Sequence, residues 1–353
     1  MFRNVKSDHC RFGLICYDPR RTGSIKAPTK ASTMIVGCRT HEAGRDSVRD
    51  AGVATIRVEA TLRLAFVRPG AGTRTMTNET PQFFLNRDGL RLFSVLHRVI
   101  PGSAADRAVV VCAPLFDEKL WSHRVLVNLA RHLANLGIPV LRFDYFGDGE
   151  SEGRFEDASV TTRVRDIHDA VDFCRRETGA REVYLLGLCY GATLALRASL
   201  EPNHDAVAGA VAWAPVIDGE RYLNDILRAH LSAQMIVHRK VIHDREALIG
   251  QIMANQSVNI EGYEIRRPLF AEMVETDVME LLRSARRPVL IQQIGPAERV
   301  DTQYQLLSEL GRAAVQFEVV QELKFWTQQK KIFPGCESLF ARTAQWLAAR
   351  QAA

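Results

Sequence analysis

Residues 182–200 read EVYLLGLCYGATLALRASL. The first seven form an apolar run of strand length. The last nine, ATLALRASL, carry Ala and Leu at helical spacing. Between them stands Gly187-Leu188-Cys189-Tyr190-Gly191. A G-x-[SC]-x-G string arises by composition about 0.1–0.2 times in a chain of this size, so the five residues alone say little. Their flanks give them meaning: a strand turns sharply into a helix, with Cys189 at the apex. Such a turn brings strand and helix so close that the residues two before and two after the apex must be small, and both are Gly. The helix that starts directly after Cys189 aims free N–H groups and a positive dipole end at the thiol. That lowers the pKa of a group that, isolated at ~8.5, is only a few per cent thiolate at neutral pH.

Outward from this turn, strands and helices alternate. Gln82–Asn86 and Leu90–Val99, joined at Asp88-Gly89, read as a hairpin. Arg107–Ala113 (RAVVVCA) is a buried strand, and His123–Leu136 is a helix stopped by Gly137. Pro139–Tyr145 (PVLRFDY) is the next strand. Ser159 caps a helix reaching about Glu177. Beyond the Cys189 turn, Ala206–Ala214, Pro288–Ile294 and Val315–Gln321 are strands, and Glu337–Ala349 is a closing helix. Apolar strands separated by helices imply an α/β fold with a mostly parallel sheet covered on both faces. From Ile217 the pattern turns helical, polar and Met-containing. Residues 217–286 therefore read as a helical cap over the carboxyl ends of the strands, where such sheets bind ligands.

Residues 1–75 differ from the rest. They hold 14 Lys+Arg against 6 Asp+Glu, a net of +8, which leaves a net of −3 for the remainder of a chain whose total is +5. The basic excess thus belongs to the N-terminal segment and gives no reason for nucleic acid to bind the folded part. We read residues 1–75 as poorly ordered or as a spurious extension upstream of a natural start at Met76, and residues 76–350 as the domain. Ile35-Val36-Gly37-Cys38 matches a lipoprotein cleavage box, but the stretch before it lacks the apolar region that export requires. No run of 18 apolar residues occurs, so no stable membrane insertion is expected. The seven cysteines have no CxxC or CxxH spacing, which argues against a zinc site and for reduced thiols in a cytoplasmic protein. There is no Walker loop and no GxGxxG, so no metal or organic cofactor is expected.

The Cys189 turn, the segment Asp144-Tyr145-Phe146-Gly147-Asp148-Gly149-Glu150-Ser151 (the form D-x-x-G-x-G-x-S) and the stretch APLFDEKLWSHR after the third strand together resemble the α/β-hydrolase superfamily over about residues 82–350. More closely the chain looks like the serine-aminopeptidase-like branch and like hydrolases associated with exosortase and exopolysaccharide gene clusters. It also resembles dienelactone hydrolases, which share a Cys elbow, although Ala192 replaces their second glycine. The resemblance implies an α/β-hydrolase fold with an eight-stranded, mostly parallel sheet and a helical cap. It implies Cys189 as nucleophile between the elbow glycines Gly187 and Gly191. The oxyanion hole then uses the backbone N–H of Tyr190 and one from Leu115 or Phe116. The acid falls on Glu298, in Gly295-Pro296-Ala297-Glu298, or on nearby Asp301.

The family's histidine follows the last strand, near Leu323-Lys324-Phe325-Trp326, yet residues 244–353 contain no His. His123, after the third strand, is the best-placed substitute; His230, His238 and His243 in the cap are others. A thiolate working with a weak base or none is a further option. Asp117 and Glu118 stand ready to meet Arg124 or a substrate amine, Asp144 to fix the turn that follows it, and Trp121, Trp213, Phe325 and Trp326 to line an acyl pocket. Two functions follow. The first is a hydrolase or acyltransferase acting on a small-molecule ester or thioester through Cys189. The second is a catalytically degenerate protein that binds a ligand under the cap or assists polysaccharide biosynthesis or export. An imidazole beside the Cys189 sulfur separates them. No oligomeric state follows from the sequence.

Overall fold

Nearly every residue of the central strands is buried, and successive side chains enter two different cores. Ala108, Val110 and Cys112 join one cluster while Val109 and Val111 join the other. A strand with both faces covered needs no polar alternation, which is why RAVVVC and EVYLLGL are continuous apolar runs. The computed structural model describes residues 78–99, 106–201, 204–327 and 336–350. The expectations for residues 1–75 and for Cys38 lie outside the described residues.

The strands are β1 (Asn78–Leu85), β2 (Arg91–Arg98), β3 (Arg107–Cys112), β4 (Val140–Phe143), β5 (Glu182–Leu188), β6 (Val207–Trp213), β7 (Val258–Ile260), β8 (Tyr263–Ile265), β9 (Val289–Gly295) and β10 (Val315–Gln321). The helices are α1 (Phe116–Asn135), α2 (Val160–Thr178), α3 (Tyr190–Leu200), α4 (Gly219–His238), α5 (Arg245–Met253), α6 (Arg267–Val274), α7 (Val278–Arg283), α8 (Gln305–Ser308) and α9 (Glu337–Ala348). Eight strands form one sheet in the order β1-β2-β4-β3-β5-β6-β9-β10. β1 pairs antiparallel with β2 and β2 with β4; every other neighbouring pair is parallel. This is the α/β-hydrolase fold expected from the sequence. One face carries α1 and α9, through Val125, Leu129, Leu133, Leu339 and Trp346. The other carries α2 and α3, through Val164, Ile167, Ala195 and Leu196.

Two boundaries differ from the sequence reading. Helix α1 begins at Phe116, seven residues before His123, because Asp117 and Glu118 occupy its first turn and favour the positive end of the helix. The segment between β6 and β9 is not wholly helical. It carries α4, α5, α6 and α7, but also the separate hairpin β7–β8. Glu261 and Gly262 both adopt positive φ, 51° and 92°, and make the two-residue turn that right-twisted strands require. Strands of three residues are too short for their periodicity to register.

Candidate active site

The Cys189 turn is built by local strain. Cys189 has φ 51° and ψ −124°, a backbone state that a non-glycine residue rarely adopts. Its N–H donates to the carbonyl of Trp213 on the neighbouring strand, at 3.0 Å, which pins the end of β5 to β6. The flanking glycines answer to the expected closeness. A Cβ on Gly187 would collide with the backbone of Gly191, and one on Gly191 with the carbonyls of Cys112 and Ala113 at the end of β3. The start of α3 therefore lies directly against the end of β3, and the start of α1 follows only a few residues beyond.

Tyr190 and Phe116 are the first residues of α3 and α1 and Leu115 caps α1, so their N–H groups have no carbonyl within their own helix to bond. Phe116 also has a positive φ, 55°, and Ala214, at the end of β6, has 44°. Three strained non-glycine residues thus stand at the carboxyl ends of β3, β5 and β6. Strain of this kind, about 1–3 kcal/mol for each residue, persists only where surrounding structure holds it and gathers at functional sites.

Cys189 is 3% exposed and sits on the wall of a cavity of about 380 Å³. Glu118, Tyr222, Asp301, Tyr304, Lys324 and Trp326 line the same cavity. The Glu118 carboxyl and the Cys189 thiol line this cavity together, and each shifts the other's titration. The carboxyl also accepts a hydrogen bond of 2.9 Å from the Tyr222 hydroxyl. Burial pushes the Glu118 carboxyl up to about 7, and its interactions with Tyr222 and Cys189 restrain the rise. The lowering expected from the start of α3 is overridden: burial, followed by the charge of Glu118, drives the Cys189 thiol well above its ordinary range, while the charge of Lys324 pulls it back. At neutral pH the sulfur therefore carries its proton, and a carboxyl that titrates near neutrality shares its cavity.

Aromatic rings hold Glu118 in place. Tyr222 stacks on Tyr190 at 5.8 Å between ring centroids, and Phe116 packs edge-on against Tyr263 at 5.2 Å. The Tyr190 hydroxyl meets Thr276 Oγ1 at 2.9 Å, and Tyr263 donates to Asp117 at 3.2 Å. Tyr222 comes from α4 and Tyr263 from β8, so the segment between β6 and β9 packs against the first turn of α1.

The residues singled out in the sequence are divided by the structure. Cys189, Asp301, Lys324 and Trp326 share one cavity; Glu298 lies on the exposed loop after β9 and outside its lining. His123 faces a different cavity, with Lys119, Arg142 and Asp144, across α1 from Glu118. His230 meets Glu261 at 2.9 Å, while His238 and His243 are exposed. Among the described residues no histidine lines the cavity of Cys189. Asp144 accepts from Lys119 at 2.7 Å and from the N–H of Glu150, and so fixes its turn. Trp213 is fully buried and donates to Thr343 at 3.1 Å, Phe325 is buried, and Trp121 is exposed. Glu118 stood in the sequence as a carboxylate awaiting a cation; its contact with Cys189 spans 71 positions, and only its place three residues after Leu115 hinted at it.

Among the described residues no group of three or more His, Cys, Asp or Glu is placed to hold a metal ion. No helix among them is long and apolar enough to cross a membrane. The fold is similar to that of an esterase of Pyrococcus furiosus, with a TM-score of 0.52 and 17% identity over 77% of this chain and 91% of the other. It is similar also to Est1E of Butyrivibrio proteoclasticus with ferulic acid bound, at 0.54 and 14% over 76% and 98%. A third likeness is to a proline iminopeptidase of Mycobacterium smegmatis, at 0.52 and 15% over 76% and 98%. No curated protein matches the chain. Residues 105–284, which run from β3 through the elbow to the end of α7, match the model of the serine aminopeptidase S33 family, and the chain belongs to that family of hydrolases.

Proposed function

We propose that the protein is a thiol-dependent acyl hydrolase in which Cys189 attacks an ester or thioester carbonyl and Glu118, not a histidine, carries the proton. The observation that carries this reading is the pairing of the strained elbow thiol with a carboxyl raised to about 7 in one cavity. A base is most effective when its pKa lies near the working pH.

In the proposed reaction the Cys189 sulfur bonds to the acyl carbon as its proton passes to the Glu118 carboxylate. The carbonyl π electrons move onto oxygen, which the N–H groups of Tyr190 and of Leu115 or Phe116 receive. The oxyanion collapses, the bond to the leaving group breaks, and that group takes the proton from Glu118. Water then attacks the resulting thioester, giving up a proton to Glu118, and the thiolate leaves and recovers it. Lys324 lies after the last strand, in the stretch Leu323–Trp326 near which the family's histidine is expected. Its positive charge offsets the negative charge of this cycle. The remaining lining, with Asp218, Arg221 and Asp225 toward the outside, suits a small polar acyl compound.

The test uses short p-nitrophenyl esters, with mass spectrometry of the quenched enzyme. Wild type is expected to release p-nitrophenol and to carry the acyl group on Cys189; Cys189→Ala does neither. Equal turnover by wild type and Cys189→Ala refutes the proposal. Absence of turnover and of acyl-enzyme across ester and thioester probes supports instead a ligand-binding protein with a degenerate site.

A further inference from the structure

Helix α4 begins at the catalytic cavity, with Asp218, Arg221 and Tyr222, and ends far from it. The thirteen steps from Tyr222 to Met235 span about 20 Å at a helical rise of 1.5 Å per residue. At that far end the side chains reverse the usual order of a protein surface. Ile236 is 81% exposed and Val237 70%, and Met235, Val241 and Ile242 are about half exposed. Five aliphatic side chains within eight positions, all open to solvent, form a patch of a kind that a soluble surface rarely tolerates without a partner.

Side chains and backbone hold this patch in shape. Arg239 ends α4 with φ 58°, which folds the chain back on itself. The buried side chain of Gln234 then accepts hydrogen bonds from the N–H groups of Ile242, at 2.7 Å, and His243, at 3.3 Å. Gln234 thereby spends its amide oxygen inside the knob and leaves the aliphatic groups outside. Asp244 accepts from the N–H of Ala247 and caps α5.

The charges name the partner. His238, Arg239 and Lys240 are exposed at the tip of the fold-back, between the two aliphatic runs. The nearest carboxylates in sequence are Asp244, occupied as the cap of α5, and Glu246 beyond it. Aliphatic groups beside cations complement an interface that is apolar below and anionic above. We infer that the knob formed by residues 235–242 inserts into the surface of an anionic lipid bilayer and moors the protein there as a peripheral, non-spanning guest. A protein surface would need an apolar cavity rimmed by acids. A second copy of this chain would place Arg239 and Lys240 against their own equivalents.

The experiment is co-sedimentation of the full chain with phosphatidylcholine vesicles that contain or lack phosphatidylglycerol. Wild type is expected to bind vesicles containing phosphatidylglycerol and to bind the neutral ones far less. The triple variant Ile236→Ser, Val237→Ser, Ile242→Ser is expected to bind about a hundredfold more weakly. Arg239→Gln with Lys240→Gln is expected to lose about thirtyfold, at about 1 kcal/mol for each cation near such a surface. Unchanged thermal midpoints show that the exposed substitutions leave the fold intact. The net charge of +8 over residues 1–75 is a second source of attraction to anionic lipid that the test must separate, so the variants decide the matter. Binding that is the same in wild type and in the triple variant assigns it to that segment and overturns the proposal. Failure of wild type to bind overturns it too, as does an oligomer that the triple variant dissolves. Vesicle binding needs no turnover, so this result stands apart from the test of Cys189.

Discussion

Replacing Glu118 by Gln exchanges a titrating carboxyl for a neutral amide of the same shape, and it separates stability from activity. The free carboxyl titrates at 4.5 and the folded one at about 7, because burial disfavours the charged form. The native state thus holds this proton more tightly than the unfolded chain does. Its stabilising contribution is complete below pH 4.5 and is lost as the pH rises to about 7. At 1.36 kcal/mol per unit the loss is about 3 kcal/mol, the cost of keeping a carboxylate beside the sulfur. Glu118→Gln removes that cost. The amide oxygen still accepts from Tyr222, and the amide nitrogen faces the sulfur. The variant is therefore expected to match wild type near pH 4.5 and to exceed it at pH 8 by up to about 3 kcal/mol, or about 6 °C in the thermal midpoint of a domain this large. Paired melting curves at pH 4.5, 6 and 8 measure this. The gain is expected to grow with pH through that window while ester turnover falls by about 10²–10⁴-fold. A variant no more stable than wild type at pH 8, or a difference that ignores pH, refutes the assignment of a buried, titrating Glu118. In wild type, kcat is expected to rise through pH about 7 as Glu118 ionises, and Glu118→Gln is expected to lose that limb of the profile.

Lys324→Met removes a cation that acts on Cys189 in the cavity; kcat/KM for p-nitrophenyl acetate is expected to fall about tenfold, the scale of a partly screened charge. Gly191→Ala forces a methyl group into the carbonyls of Cys112 and Ala113; urea titration is expected to show a loss of about 2–4 kcal/mol and the thiol to lose its rapid acylation. Arg163 is fully buried, lies 4.9 Å over Phe155 and 5.6 Å over Tyr145, and among the described residues none of its three guanidinium nitrogens has a hydrogen-bond partner. Arg163→Met, which fits between the same rings, is expected to be neutral or to stabilise by about 1–4 kcal/mol in urea titration, and a marked loss would point to a tightly held counter-ion.

The elbow could be read from the sequence because everything it needs is local. Two glycines, an apolar strand and an Ala-rich helix lie within nineteen residues, and the collision each glycine avoids is with backbone nearby. The core strands were legible for a related reason: a strand buried on both faces shows its whole length as apolar. Glu118 was not legible as a partner of Cys189. A first-turn carboxylate reads as helix-dipole complementation or as a solvated charge, and only the juxtaposition of β3 with β5 brings it to the sulfur. The short β7–β8 hairpin escaped because three-residue strands carry no measurable period. Yet it supplies Tyr263, one of the rings that surround the start of α1.

The missing histidine becomes intelligible when its two tasks are separated. An imidazole in a hydrolase site moves a proton and, while it holds that proton, places a positive charge beside the oxyanion. No other single side chain does both near neutral pH, because only imidazole titrates there without help. On the proposed mechanism the tasks fall to two residues. Glu118, raised to about 7 by burial, moves the proton. Lys324, in the stretch after the last strand where the family's histidine is expected, supplies a positive charge near the sulfur. The division suits a thiol better than a hydroxyl. A sulfur proton is several powers of ten more acidic than a serine proton, so a carboxylate of this basicity suffices to assist its removal. It follows that Cys189→Ser, the change that restores the commoner nucleophile, is expected to abolish acyl transfer unless His is also placed at Lys324. Turnover by Cys189→Ser alone, at a rate comparable to wild type, would show that some other base serves the site, and the pairing of Cys189 with Glu118 would lose its purpose.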